Sequence, residues 1–90
     1  MQRIRAIIRG SVQGVGFRFF TQQTAEKYNI KGWVKNNADG TVEIEAEGES
    51  GSLDNFFKVI KEGNRFSHVE DLALYKKESL KHFNRFKITY

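Results

Sequence analysis

"GSVQGVGFR", residues 10–18, is where the chain changes its hydrophobic period. Before it, residues 2–9, "QRIRAIIR", alternate Ile4, Ala6 and Ile8 with Arg3 and Arg5, with Ile7 breaking the pattern, which predicts a strand with one buried face. After it, Phe17, Phe20, Thr21, Thr24, Ala25 and Tyr28 recur at helical steps. Arg18, Gln22, Gln23, Glu26 and Lys27 fill much of the other side, so an amphipathic helix is predicted to close near Asn29. A period of two giving way to one of 3.6 across a glycine-rich junction reads as strand, loop, helix.

The junction is barer than a connection requires. Gly14 and Gly16 bracket Val15, and Arg18 follows in the expected first helical turn. Glycines reach positive φ without penalty and leave no Cβ between backbone N–H groups and a ligand's oxygens. A helix N-terminus adds partial positive charge, and a guanidinium adds planar, bidentate donors that keep their proton. These features suit a phosphate or a carboxylate. The alternative is that the glycines serve only a tight turn and Arg18 is a solvated helix residue. The spacing of Gly10, Gly14 and Gly16 is not G-x-G-x-x-G and no G-K-[ST] follows, which argues against a nucleotide.

Outward from the junction, "IKGWVKN" reads as a second strand and "TVEIEAEG" as a third, with Val42, Ile44 and Ala46 inward and Glu43, Glu45 and Glu47 on the wet face. "NADG" between them supplies hairpin turn chemistry. A second helix is expected from Ser52 as N-cap, burying Leu53, Phe56, Phe57 and Ile60 and ending at Gly63. A strand around Val69 to Tyr75 follows. In the closing "FNRFKITY", Phe86, Ile88 and Tyr90 alternate with Arg85, Lys87 and Thr89. The order βαββαβ plus a short C-terminal strand predicts an α+β fold, a ferredoxin-like split βαβ sandwich with a mostly antiparallel sheet and two helices on one face.

The chain has 90 residues, so one domain spanning 1–90 with one core is expected. It lacks cysteine, which excludes disulfides and thiolate metal sites, and its net charge of +4 favours anionic partners without choosing among them. No segment approaches the ~20 apolar residues of a membrane span, and the arginine-interrupted N-terminus does not suit a signal peptide, so no membrane association and a cytoplasmic location are expected. His68 and His82 stand apart with no metal-ligand spacing. Asn36 and Asn37 precede the turn; alternation puts them on opposite faces without saying which one looks toward Arg18.

Two segments carry a resemblance. "IRGSVQGVGFR" (8–18) and "GWVKNNADGTVEIEAEG" (32–48) resemble, without a gap, the two signature segments of the acylphosphatase family. Ile8, Gly10, Val12, Gln13, Gly14, Val15, Phe17 and Arg18 match in the first, and Gly32, Trp33, Val34, Lys35, Asn36, Gly40, Val42 and Gly48 in the second. The resemblance implies an enzyme hydrolysing the carboxyl-phosphate bond of acyl phosphates to carboxylate and inorganic phosphate, without cofactor or metal. It makes Arg18 the catalytic arginine that binds phosphate and Asn36 the catalytic asparagine that positions water, and it assigns the phosphate-binding loop to Gln13, Gly14, Val15, Gly16, Phe17 and Arg18. Small acyl phosphates and inorganic phosphate are then the partners, nucleic acid is not, and a monomer is expected. The chain departs from the family at "KEGNRFSHVEDL", where Asn64 and Arg65 replace the glycine-proline pairs common after the second helix. The competing classes are a noncatalytic anion-binding module and an RNA-binding ferredoxin-like module; the glutamates of the third strand oppose the latter.

Overall fold

The computed structural model describes residues 1–90 as five strands and two helices: β1 (Gln2–Ser11), α1 (Phe17–Lys27), β2 (Lys31–Asn36), β3 (Val42–Gly48), α2 (Ser50–Glu62), β4 (His68–Lys77) and β5 (Phe86–Ile88). The sheet order is β4-β1-β3-β2-β5. β3 lies between β1 and β2, and β1 lies between β3 and β4, so each strand-helix-strand unit is split by a strand of the other. This is the expected ferredoxin-like α+β arrangement. All neighbouring pairs are antiparallel except β2 with β5, which run parallel from Gly32↔Phe86 to Val34↔Ile88.

Both helices cover one face of the sheet, and fifteen buried apolar side chains fill the space between. Phe56 sits at the centre, its ring 4.8 Å from that of Phe57 and 6.2 Å from that of Phe86. Two threonines occupy the inner stripe of α1 because their hydroxyls are satisfied within the helix: Thr21 donates to the Phe17 carbonyl and Thr24 to that of Phe20, each at 2.8 Å. The second helix opens earlier than its serine suggested. Glu49 is the N-cap, its carbonyl accepting from the Leu53 N–H at 2.9 Å, and Ser52 lies within the first turn. Packing of Leu53 and Phe56 on the sheet outweighs the local preference of serine for a cap position.

On the open face, Arg3 pairs with Glu45 at 2.6 Å and Arg5 with Glu43 at 2.7 Å, so these two carboxylates are structural partners and not an acid-base pair. Glu47 departs from the wet face predicted for it and is 1% exposed. The segment between β4 and β5 folds over it, and its carboxylate accepts the backbone N–H groups of Lys81, of His82 at 3.2 Å and of Phe83 at 3.0 Å. His82 adopts the left-handed conformation (φ 58°), which turns successive N–H groups inward to form a nest for the anion. Burial alone would raise the Glu47 carboxyl, but the three amide donors outweigh it and hold the pKa below its ordinary 4.5.

Because the folded-state value lies below the unfolded one, the Glu47 carboxylate stabilises the fold above about pH 4.5 and loses that contribution as pH falls through the depressed value. Glu47→Gln, which keeps the shape and removes the charge, is expected to cost ~1–3 kcal/mol at neutral pH, the worth of hydrogen bonds to a charged group. Thermal unfolding followed across pH 7 to about 2.5 should show a shallower acid limb in the variant than in the wild type. Parallel acid limbs would mean that the nest does not discriminate the charged form.

Candidate active site

The loop from Val12 to Gly16 joins the end of β1 to the start of α1 and lies beside the end of β2. Gly14 and Gly16 both have φ of +73°, and a Cβ at Gly14 would meet nothing within 4 Å. Glycine is required there by backbone conformation and not by crowding. Gly16 is also the N-cap of α1, with no side-chain cap and no acidic residue in the first turn. The Phe20 N–H bonds to the Gly16 carbonyl at 3.0 Å, while the backbone N–H groups of residues 13–19 donate to no protein acceptor. A helix start normally finds partners for such donors in a side chain or in water; here a row of them is left open.

The loop borders a cavity of about 180 Å³ lined by Val12, Gly14, Gly16, Phe17, Arg18, Phe19, Asn36, Ile88 and Tyr90, with no Asp or Glu side chain among them. Of the residues expected at a site, Gly14, Gly16, Phe17, Arg18 and Asn36 therefore meet in one place. The other two support it from behind. The Gln13 side chain donates to the carbonyls of Asn37 at 2.8 Å and Thr41 at 2.9 Å, tying the loop to the β2–β3 hairpin, and Val15 packs against the core. The choice between the two asparagines is made by the turn. Asn37 is used within it, donating to Thr41 Oγ1 at 3.0 Å, whereas the Asn36 amide oxygen is buried and has no partner.

Arg18 stands in the first turn of α1, the end of a helix at which a cation is disfavoured by ~0.3–1 kcal/mol. It is held by the C-terminal residues: its Nη1 donates to the Thr89 carbonyl at 3.2 Å, and its guanidinium carbon lies 4.4 Å from the centre of the Tyr90 ring. Thr89 is in turn fixed by its N–H to the Val34 carbonyl at 2.8 Å. Alternation groups Tyr90 with Phe86 and Ile88. Phe86 is buried and Ile88 partly so, but Tyr90 projects past the sheet edge, 96% exposed, over Arg18. Periodicity carries no sign of this roof, because an exposed aromatic beyond the last strand has no periodic partner.

An electropositive pocket of bare amides, one guanidinium and one unpaired carboxamide can bind a small multivalent anion and place a water beside it. No group of three or more His, Cys, Asp and Glu side chains stands together to hold a metal ion. The family model described as Acylphosphatase matches residues 4–88. The curated acylphosphatase of Bacillus licheniformis is 48% identical over 90 residues, with the whole of both chains aligned. The crystal structure of acylphosphatase from Bacillus subtilis superposes with a TM-score of 0.98 at 47% identity, all of both chains being covered. An acylphosphatase structure from Coxiella burnetii, 30% identical, superposes at 0.92 over 98% of this chain and 92% of that one. With both signature segments meeting at this pocket and the match running through all seven elements, the chain belongs to the acylphosphatase family.

Proposed function

We propose that residues 1–90 act as one acylphosphatase domain that hydrolyses the carboxyl-phosphate bond of small acyl phosphates. The observation that carries this is the convergence, on one cavity, of the unpaired amides, the Arg18 guanidinium and the unpartnered Asn36 carboxamide. The phosphoryl group lies in the cradle formed by residues 13–18, with its oxygens on backbone N–H groups and on Arg18. Phosphoryl transfer asks little covalent work of a protein; positioning and stabilisation of charge on the equatorial oxygens are the main requirements. Asn36 holds the attacking water by its amide. The water oxygen forms the new bond to phosphorus, and the bond to the acyl oxygen breaks with its electron pair leaving on the carboxylate. The water proton passes to a phosphate oxygen, so no protein base is required.

A carboxylate is a good leaving group, which is why so sparse an apparatus suffices and why neither metal nor cofactor is needed. Inorganic phosphate is the product and a competitive inhibitor. The protein works as a monomer in the cytoplasm; no helix is long and apolar enough to cross a membrane. Nucleic acid is not a partner, since Glu43 and Glu45 lie across the open sheet face.

Arg18→Ala is expected to lower kcat/KM on benzoyl phosphate by ~10²–10³ or more with an unchanged circular dichroism spectrum, and Arg18→Lys to restore little, because a point charge does not replace the planar fork. Wild-type turnover in either variant would remove Arg18 from the mechanism.

Asn36→Ala should reduce kcat far more than it weakens competitive inhibition by inorganic phosphate, the pattern of a group that acts on water in the transition state. Equal losses in both would reassign Asn36 to binding.

Dialysis against EDTA is expected to leave turnover unaltered; inactivation reversed by a divalent cation would refute the metal-independent scheme.

A further inference from the structure

The turn that follows α2 reaches the back of the anion cradle. Gly63 ends the helix with φ of +76°, and Asn64 is then locked by its own backbone: its N–H donates to Ser67 Oγ at 2.8 Å, and its carbonyl accepts from the Ser67 hydroxyl at 3.1 Å and the Ser67 N–H at 3.2 Å. From this fixed base the side chain crosses to the loop, and Asn64 Nδ2 donates to the Val15 carbonyl at 2.9 Å. A carbonyl can pair only with the amide's NH₂ end, so the orientation of this carboxamide is set by its partner. Its oxygen is left buried without a donor. An uncompensated acceptor of this kind is costly, and the side chain keeps the arrangement instead of turning to water.

The consequence lies in the peptide unit between Val15 and Gly16. Every peptide bond in the chain is trans, so the carbonyl of Val15 and the N–H of Gly16 point in opposite directions. Gly16 lines the cavity, its N–H has no protein acceptor, and a Cβ placed on it would come no nearer than 4.0 Å to Asn64 Nδ2. With φ of +73° at both Gly14 and Gly16, the flanking backbone does not by itself fix how this peptide is turned. We propose that Asn64 is a positioning residue of the site: by holding the Val15 carbonyl against the α2 turn, it aims the Gly16 N–H at the phosphoryl oxygens. Asn64 touches neither substrate nor water; it acts through one peptide plane. This rests on the proposal that the loop cradles phosphate. It also places at the departure from the family's glycine-proline pattern a side chain that does a loop-fixing job.

Binding of inorganic phosphate measured by calorimetry, beside hydrolysis of benzoyl phosphate, tests both levels separately. In the wild type, the Gly16 amide proton should shift downfield on phosphate titration in ¹⁵N-edited NMR. Asn64→Ala is expected to weaken phosphate binding about tenfold, the worth of one hydrogen bond to a charged group, and to shrink the Gly16 shift while the Arg18 shift persists. Ser67→Ala loosens the same turn but leaves the Val15 bond intact; it should lower Tm with phosphate affinity within about twofold of wild type. Asn64→Leu, uncharged, of similar size and without the donor, should behave as Asn64→Ala and serves if the alanine variant does not fold. Phosphate affinity unchanged in a folded Asn64 variant, equal affinity losses in Ser67→Ala, or a wild-type Gly16 amide that does not respond to phosphate would overturn the inference. A wild type that neither binds phosphate nor hydrolyses benzoyl phosphate would instead overturn the cradle itself.

Discussion

Everything in this small domain is arranged around a row of backbone N–H groups that the fold leaves unpaired. From residue 13 to residue 19 no amide donates to a protein acceptor. Open donors exposed to water cost little, but a row of them is useful only if the peptide planes hold still. Packing and hydrogen bonds supply that fixity without using the amides. Phe17, 1% exposed, roots the start of α1 in the core, and the Gln13 side chain ties the loop to two carbonyls of the hairpin. The Val15 and Gly16 carbonyls accept bonds from Asn64 Nδ2 and the Phe20 N–H, while the N–H groups of the loop stay free.

The guanidinium depends on a longer chain of causes. Arg18 is oriented by Thr89 and Tyr90, which follow β5, a strand of three residues at the sheet edge. A three-residue parallel edge strand has little stability of its own. Two remote features hold it: Phe86 buried against Phe56, and the nest of amides at 81–83 closed around the Glu47 carboxylate. A buried anion on β3 thus fixes the segment that leads into β5, and β5 carries the residues that roof the arginine. Groups of backbone N–H donors without main-chain partners thus occur in two loops: at 81–83 they close on an internal carboxylate, and at 13–19 no protein acceptor meets them.

The fold was legible because its cause is periodic. Alternation in "QRIRAIIR" and "TVEIEAEG" and helical spacing from Phe17 to Tyr28 name their elements, and the order of elements names the topology. The loop was legible as a candidate anion site from Gly14, Gly16 and Arg18, although the residues alone left a tight turn as an equal reading. The choice of Asn36 over Asn37 came from the family motif and not from alternation. Three features had no local signal. Glu47 reads as one of three outward glutamates, because the chain that buries it arrives 34 residues later. Tyr90 continues a strand pattern past the point where the sheet ends. Asn64 appears only as a departure from a familiar turn; its partner lies 49 residues away. In each case the decisive contact is long-range and polar, and such contacts leave no period in the sequence.

The N-cap of α1 shows where stability gives way to function. A Ser, Asp or Asn at position 16 would normally serve a helix of this length better, its oxygen accepting from the N–H of the second or third helical residue. Those are the N–H groups of Arg18 and Phe19, and a capping side chain would occupy donors that the proposed function leaves for a phosphoryl group. Glycine as N-cap sacrifices only a few tenths of a kcal/mol relative to a capping residue, and its φ of +73° would strain any of the alternatives. Arg18 in the first turn adds a second small cost, a cation at the positive end of the helix dipole, and the absence of any acidic residue there leaves it unrelieved. Under the proposed function, a dianion in the cradle would resolve all three conditions together: it would cap the helix, satisfy the row of amides and neutralise the guanidinium. On that proposal the helix would be most complete with the site filled, and phosphate binding would stabilise the turn that the free protein leaves unfinished.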